Sequence, residues 1–242
     1  MNLIKYSILF ISTLFISSCE EVTDILDANG LSNEEVVEGL KTALNIGTDT
    51  SVTTLSKADG YYKDEIVKIL LPEEAAPVYS VLKNLPGGSL LIEEAVVAIN
   101  RAAEDAAPQA KDIFVSAITG ISITDGFEIL NGGDTAATIY LQGKTYLPLT
   151  DAFKPKIQSS LAKPLVLNTS AEQAYALVLK TYNDASLGGI LWPEIKTNTL
   201  ADHVTQKALT GLFLKVGEEE RKIRRNPLHR VSEILTKVFG GS

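Results

Sequence analysis

Residues 125–140, DGFEILNGGDTAATIY, hold the arrangement best suited to chemistry. A Gly132-Gly133 pair ahead of a helix start offers free amides and a positive dipole end to an anion. Asp134 at the cap position would satisfy those amides and repel a phosphate, so a tight turn between two helices fits better than a ligand cradle. The spacing matches neither a Walker loop nor a dinucleotide fingerprint. From this segment Asp125, Asp134, Thr138 and Tyr140 are the candidates for a pocket or polar network. Asn100, Arg101 and Glu104 lie three to four residues apart among alanines. If exposed, such a pair adds only a few tenths of a kcal/mol; if buried, both charges need partners and become structural glue or a pocket wall. Glu220 and Arg224 stand four apart with the acid first, the better helical direction. Either this is a solvated face, or Arg224 and Arg230 point inward to read a carboxylate or phosphate.

Reactive groups are missing from these clusters. There is no H-E-x-x-H, no paired histidine and no G-x-S-x-G around any serine. Adjacent acids such as Glu73-Glu74 and Glu93-Glu94 diverge by roughly 100° on a helix and cannot act together. Two His and one Cys argue against a thiol or histidine-rich metal site. No catalytic residue, metal or cofactor is assigned, and a non-enzymatic role is favoured.

The elements that must position these residues read as helices. Ser32 opens one with a capping box to Glu35, and Val36, Leu40, Ala43 and Leu44 recur at helical spacing until Gly47. A short helix from Asp49 to about Ser56 and a turn at Asp59-Gly60 follow. Residues 65–71, rich in β-branched types but stopped by Pro72, leave strand, helix and loop open. Pro72 suits the first turn of a helix to about Leu85, and Pro86-Gly87-Gly88 breaks it. Ser89 caps the next, which Pro108 kinks or restarts, and a further helix covers Lys111 to Ile118. Thr124 to Leu130 is one or two turns, and Asp134 caps a helix through Tyr140. Thr145 to Leu161 is kinked or split by Pro148 and Pro155. Ser170 and Gln173 form another capping box, opening a helix to about Asp184 that precedes a loop around Trp192. Thr199 caps the longest segment, Leu200 to Arg225, and Pro227 starts a final helix to Phe239. The fold class is all-α: a single domain over residues 32–242 with about 8–10 helices, several of them kinked or split at proline.

Ahead of it, one positive charge (Lys5) and the apolar run Tyr6 to Ile16 read as a secretory signal, too short to span a bilayer. Ile16-Ser17-Ser18 before the lone Cys19 resembles the bacterial lipobox. That resemblance implies removal of residues 1–18, a diacylglycerol on the Cys19 sulfur and a further acyl chain such as palmitate on its amine. Two or three chains hold a protein firmly where one does not. Residues 19–31 are then a polar tether. Glu20 is not the inner-membrane retention signal, so the outer membrane, facing the periplasm, is expected, with cell-surface display through Glu20-Glu21 as the alternative. A formal charge of −8 and pI near 4.9, with no basic stripe, argue against nucleic acid.

Taken together, Asn100-Arg101-Ala102-Ala103-Glu104, Asp125 through Tyr140, Lys207-Ala208-Leu209-Thr210-Gly211-Leu212-Phe213, the pattern Glu220, Ile223, Arg224, Pro227, Arg230, and the final Val238-Phe239-Gly240 resemble a bacterial family catalogued only as a domain of unknown function, number 4197. The resemblance runs from about Leu31 to Gly240. It implies a secreted or lipid-anchored protein and no agreed activity. Thr210 departs from the family pattern, where an acid is expected. Three functions follow as expectations. One is an anchored protein that binds a protein partner or a small apolar or amphipathic ligand between its helices. Another is an undescribed hydrolase or transferase using Asp125, Asp134 or Glu104. The third is an envelope scaffold with no ligand.

Overall fold

The computed structural model describes residues 30–73, 76–84, 88–164, 170–191, 193–194 and 199–240. Cys19, the preceding Ile16-Ser17-Ser18, and Trp192 lie outside them. The described residues form nine α-helices: α1 (Asn33–Leu55), α2 (Ala76–Leu82), α3 (Gly88–Ala106), α4 (Ala110–Thr119), α5 (Ile123–Leu130), α6 (Ala136–Leu161), α7 (Ala171–Ala185), α8 (Leu200–Arg225) and α9 (Glu233–Phe239). Short 3-10 turns at Ala107–Gln109 and Pro227–His229 join α3 to α4 and α8 to α9. There is no strand among the described residues, and the chain is an all-α domain.

Helix α8 is the central pillar, packed against α1, α6 and α3. Its buried face, Val204, Ala208, Leu212, Val216 and Ile223, keeps helical spacing and meets Leu40 and Leu44 of α1. Helices α1 and α8 run antiparallel. Gly47 lies opposite Glu219, whereas Tyr61, just past the end of α1, donates its hydroxyl to the Ala208 carbonyl at 2.8 Å. Phe114 and Phe213 meet edge-on at 5.9 Å in the core, the geometry aromatic pairs prefer.

Several boundaries differ from expectation, each for a packing reason. Gly47 does not end the first helix: a Cβ there would already touch Glu219 at 3.4 Å, so α1 continues to Leu55 with α8 laid close against it. Residues 136–161 form one helix rather than two, with Pro148 and Pro155 inside it. Both prolines are exposed and the buried positions Leu141, Thr145, Leu149, Phe153 and Ile157 recur every four residues. The carbonyls left without a proline N–H therefore belong to exposed Lys144 and Asp151, within reach of water. The final helix is split: Ser232 caps a separate α9, accepting the Leu235 amide. Ser89 is not a cap, since α3 already includes Gly88. The segment 65–71 is neither strand nor helix but a strap laid across α3. No single helix among the described residues is long and apolar enough to cross a membrane.

Candidate functional site

The heart of the polar residues is Glu220, which the amphipathic pattern of α8 turns inward; it is 7 % exposed. Its carboxylate accepts the backbone amides of Ala137 at 3.0 Å and Thr138 at 2.8 Å, and the Thr138 hydroxyl at 2.7 Å. These amides belong to the first turn of α6, whose own cap residue, Thr135, makes no side-chain cap bond. A carboxylate at that dipole end is favourable. Asp134 is therefore not the cap. It turns outward and pairs with Arg225, with Arg221 at 4.0 Å, and the Arg225 guanidinium holds its carboxyl below the ordinary aspartate value.

One turn along α8, Arg224 Nε donates to Glu220 at 2.9 Å. Its remaining nitrogens donate to the carbonyls of Ile129 at 2.8 Å and Leu130 at 3.2 Å, at the C-terminus of α5. The guanidinium lies over the Phe239 ring at 5.6 Å. A single ion pair thus joins the negative end of α5 to the positive end of α6. Arg230 does the same for α8 itself, donating to the carbonyls of Ile223 at 3.0 Å and Arg224 at 2.7 Å. The cavity beside Glu220 and Arg224 measures about 10 Å³, room for one water at most.

Asn100, Arg101 and Glu104 form a second cluster on α3. Asn100 accepts the Ile69 amide at 2.9 Å and donates to the Ile69 carbonyl at 2.8 Å, the pairing a neighbouring strand would have made. Glu104 accepts the amides of Tyr61 at 3.2 Å and Tyr62 at 3.3 Å. Arg101 bridges Glu104 and Asp59, each at 2.5 Å, and Asp59 sits at φ +69°. Burial pushes the Tyr61 phenol well above its ordinary value. On the outer side of α3 an open groove of about 480 Å³ is lined by Glu93, Glu94, Arg101, Ser160 and Lys163.

Asp125 stands apart from both clusters. It closes a capping box with Ser122 at the start of α5, and those Ser122 hydrogen bonds hold its carboxyl below the ordinary value. The Tyr140 hydroxyl reaches it only at 3.4 Å. Beyond Tyr140 an open groove of about 500 Å³ runs between α4 and α6, past Ile113, Ala117 and Lys144. Thus Thr138, Glu220 and Arg224 come together, Asp134 and Arg230 flank them, and Asn100, Arg101 and Glu104 form a separate cluster.

Two contributors escaped sequence reasoning. Glu172 of α7 accepts amides of Leu200 and Ala201 at the start of α8, with burial raising its carboxyl. Its partners are far off in sequence, so no local pattern marks it. The Ser122-x-x-Asp125 box, by contrast, was a readable signal. Among the described residues no group of three or more His, Cys, Asp or Glu is placed to hold a metal ion.

The class this geometry defines is an all-helical domain whose buried charges hold its own backbone, at helix ends through Glu220 and Arg224 and in a non-helical stretch through Glu104. The chain belongs to the family described as "Protein of unknown function (DUF4197)", whose model matches residues 30–240. No curated protein and no solved structure matches it. Thr210, where an acid was expected, is exposed on α8, its hydroxyl donating to the Gln206 carbonyl.

Proposed function

We propose that this chain is a lipid-anchored bacterial envelope protein, held to the outer membrane through acyl chains on Cys19 and facing the periplasm. Its helical domain acts without catalysis, by engaging a protein partner. The observation that carries this reading is the consumption of the buried charges. Glu220, Arg224, Glu104 and Asn100 spend their hydrogen bonds on backbone groups of the same chain. A small-ligand site keeps a few polar groups converging on a concave apolar pocket; the 10 Å³ beside Glu220 is far too small for one, and the two larger grooves beside Arg101 and Tyr140 are open to solvent. A hydrolase using Asp125 or Asp134 is disfavoured because each carboxylate is engaged locally, Asp125 in its capping box with Ser122 and Asp134 on Arg225.

Native mass spectrometry of the acylated protein, released gently from membranes, tests this. A diacylglycerol-sized mass on Cys19 together with a co-purifying protein is the expected result. A stoichiometric small adduct that leaves on denaturation would move the role to ligand carriage. An unmodified Cys19 would remove the anchor.

A further inference from the structure

The turn between α8 and α9 carries a surface that none of these roles has used. Leu228 is 88 % exposed and Val231 is 71 % exposed, three residues apart around the 3-10 turn at Pro227–His229. This turn is stiffly held. Asn226 Oδ1 accepts the Leu228 amide at 3.0 Å, and Arg230 grips the Ile223 and Arg224 carbonyls from the other side. Two aliphatic side chains are therefore presented to solvent on a fixed backbone, with Arg225 exposed immediately before them.

Where this turn lies decides what it meets. Because α1 and α8 are antiparallel, the C-terminus of α8 and the N-terminus of α1 share one end of the bundle. Helix α9 confirms it: Lys237 pairs with Glu35, and a Cβ at Gly39 would meet Val238 at 2.5 Å. The chain enters the domain at this same end, through Leu31 and the Ser32 cap. The eleven residues 20–30 that lead there from Cys19 span about 40 Å at full extension. That is about the length of α8 itself, whose 26 residues rise about 39 Å. An acylated Cys19 thus tethers the domain by this end.

We propose that Leu228 and Val231 form a membrane-contacting tip that seats the domain on the lipid leaflet holding its anchor. The proposal rests on the Cys19 anchor proposed above. The aliphatic pair enters the boundary between headgroups and acyl chains. Glu34, Glu38 and Glu233 are exposed on the same end, so the contact is apolar and not electrostatic. The tip fixes an orientation that the tether alone leaves free.

The test uses the full chain with its native lipobox, purified from membranes and reconstituted in vesicles of phosphatidylethanolamine and phosphatidylglycerol. A spin label is placed at His229→Cys, between the two aliphatic residues. A control label at Lys57→Cys marks the opposite end, beyond α1. The ratio of oxygen to water-soluble nickel-chelate collisions at position 229 is expected to exceed that at position 57 by about threefold or more, as for side chains seated in the interface. Adding Leu228→Asp and Val231→Asp, both on exposed positions, should return it to the control value. Equal ratios with Cys19 acylated overturn the tip and leave the anchor standing. A label found on Cys19 itself, meaning a free thiol, overturns both. Shielding that persists in detergent and scales with protein concentration assigns the tip to a second copy and overturns the lipid contact.

Discussion

Glu220 and Glu104 are both buried carboxylates that accept two backbone amides and pair with an arginine on their own helix, yet they hold different things. Glu220 reaches from α8 to the first turn of α6, while Arg224 takes the last carbonyls of α5. It joins regular elements at their ends. Glu104, with Asn100 four residues before it, holds residues 61–69, a stretch with no helix of its own. There the side chains substitute for absent secondary structure. The contrast teaches where each charge matters: the first cluster belongs to the whole bundle, the second to one strap.

The sharpest way to break this distinction is Glu220→Gln, which strands a largely buried Arg224. Loss of one partner from a buried pair costs about 3 kcal/mol or more, read as a lower urea midpoint for the whole domain. Combining Glu220→Gln with Arg224→Met should recover part of that loss, since no buried charge then lacks a partner. A change below about 1 kcal/mol would mean that water replaces the carboxylate. Asn100→Ala comes next, at about 2 kcal/mol, because it leaves the Ile69 amide and carbonyl unsatisfied. Its signature should be local: hydrogen exchange accelerates at Ile69 well before α8. Equal acceleration in both would merge the two clusters into one unit. Tyr61→Phe, which removes the bond from the turn ahead of the strap to Ala208, should cost about 1 kcal/mol. The smallest effect is Asp134→Asn, and it carries a pH sign. The Asp134 carboxyl is depressed by Arg225, so its contribution is present at neutral pH and fades as pH falls below about 4. Wild type and Asp134→Asn should therefore converge in acid and separate at pH 7.

Local chemistry was legible in the sequence and distant chemistry was not. The capping boxes at Ser32-Glu35 and Ser170-Gln173 and the Thr199 cap stand where side-chain spacing places them. So does the all-helical class, because a 3.6-residue period is written into each segment. Glycine and proline misled wherever packing overrode their usual punctuation, at Gly47 and at Pro148 and Pro155. Asp134 was credited with a cap because it is the nearest acid. The actual cap, Glu220, comes from more than 80 residues downstream, and no local window contains that pairing. Spacing alone leaves the Arg101–Glu104 and Glu220–Arg224 pairs open between an exposed face and a buried network; their burial and their partners only the fold decides.

Synthesis runs from α1 toward α9, and this gives the Glu220 bridge a temporal meaning. Helix α6 emerges complete while its leading amides still lack their acceptor, and the carbonyls ending α5 lack Arg224. Both wait for the last quarter of the chain. A nascent molecule therefore lacks the clasp between α5 and α6, and it closes only after its C-terminal part arrives. Truncation before residue 220 should yield a protein that is helical by circular dichroism yet readily digested, an unlatched bundle rather than a smaller folded one.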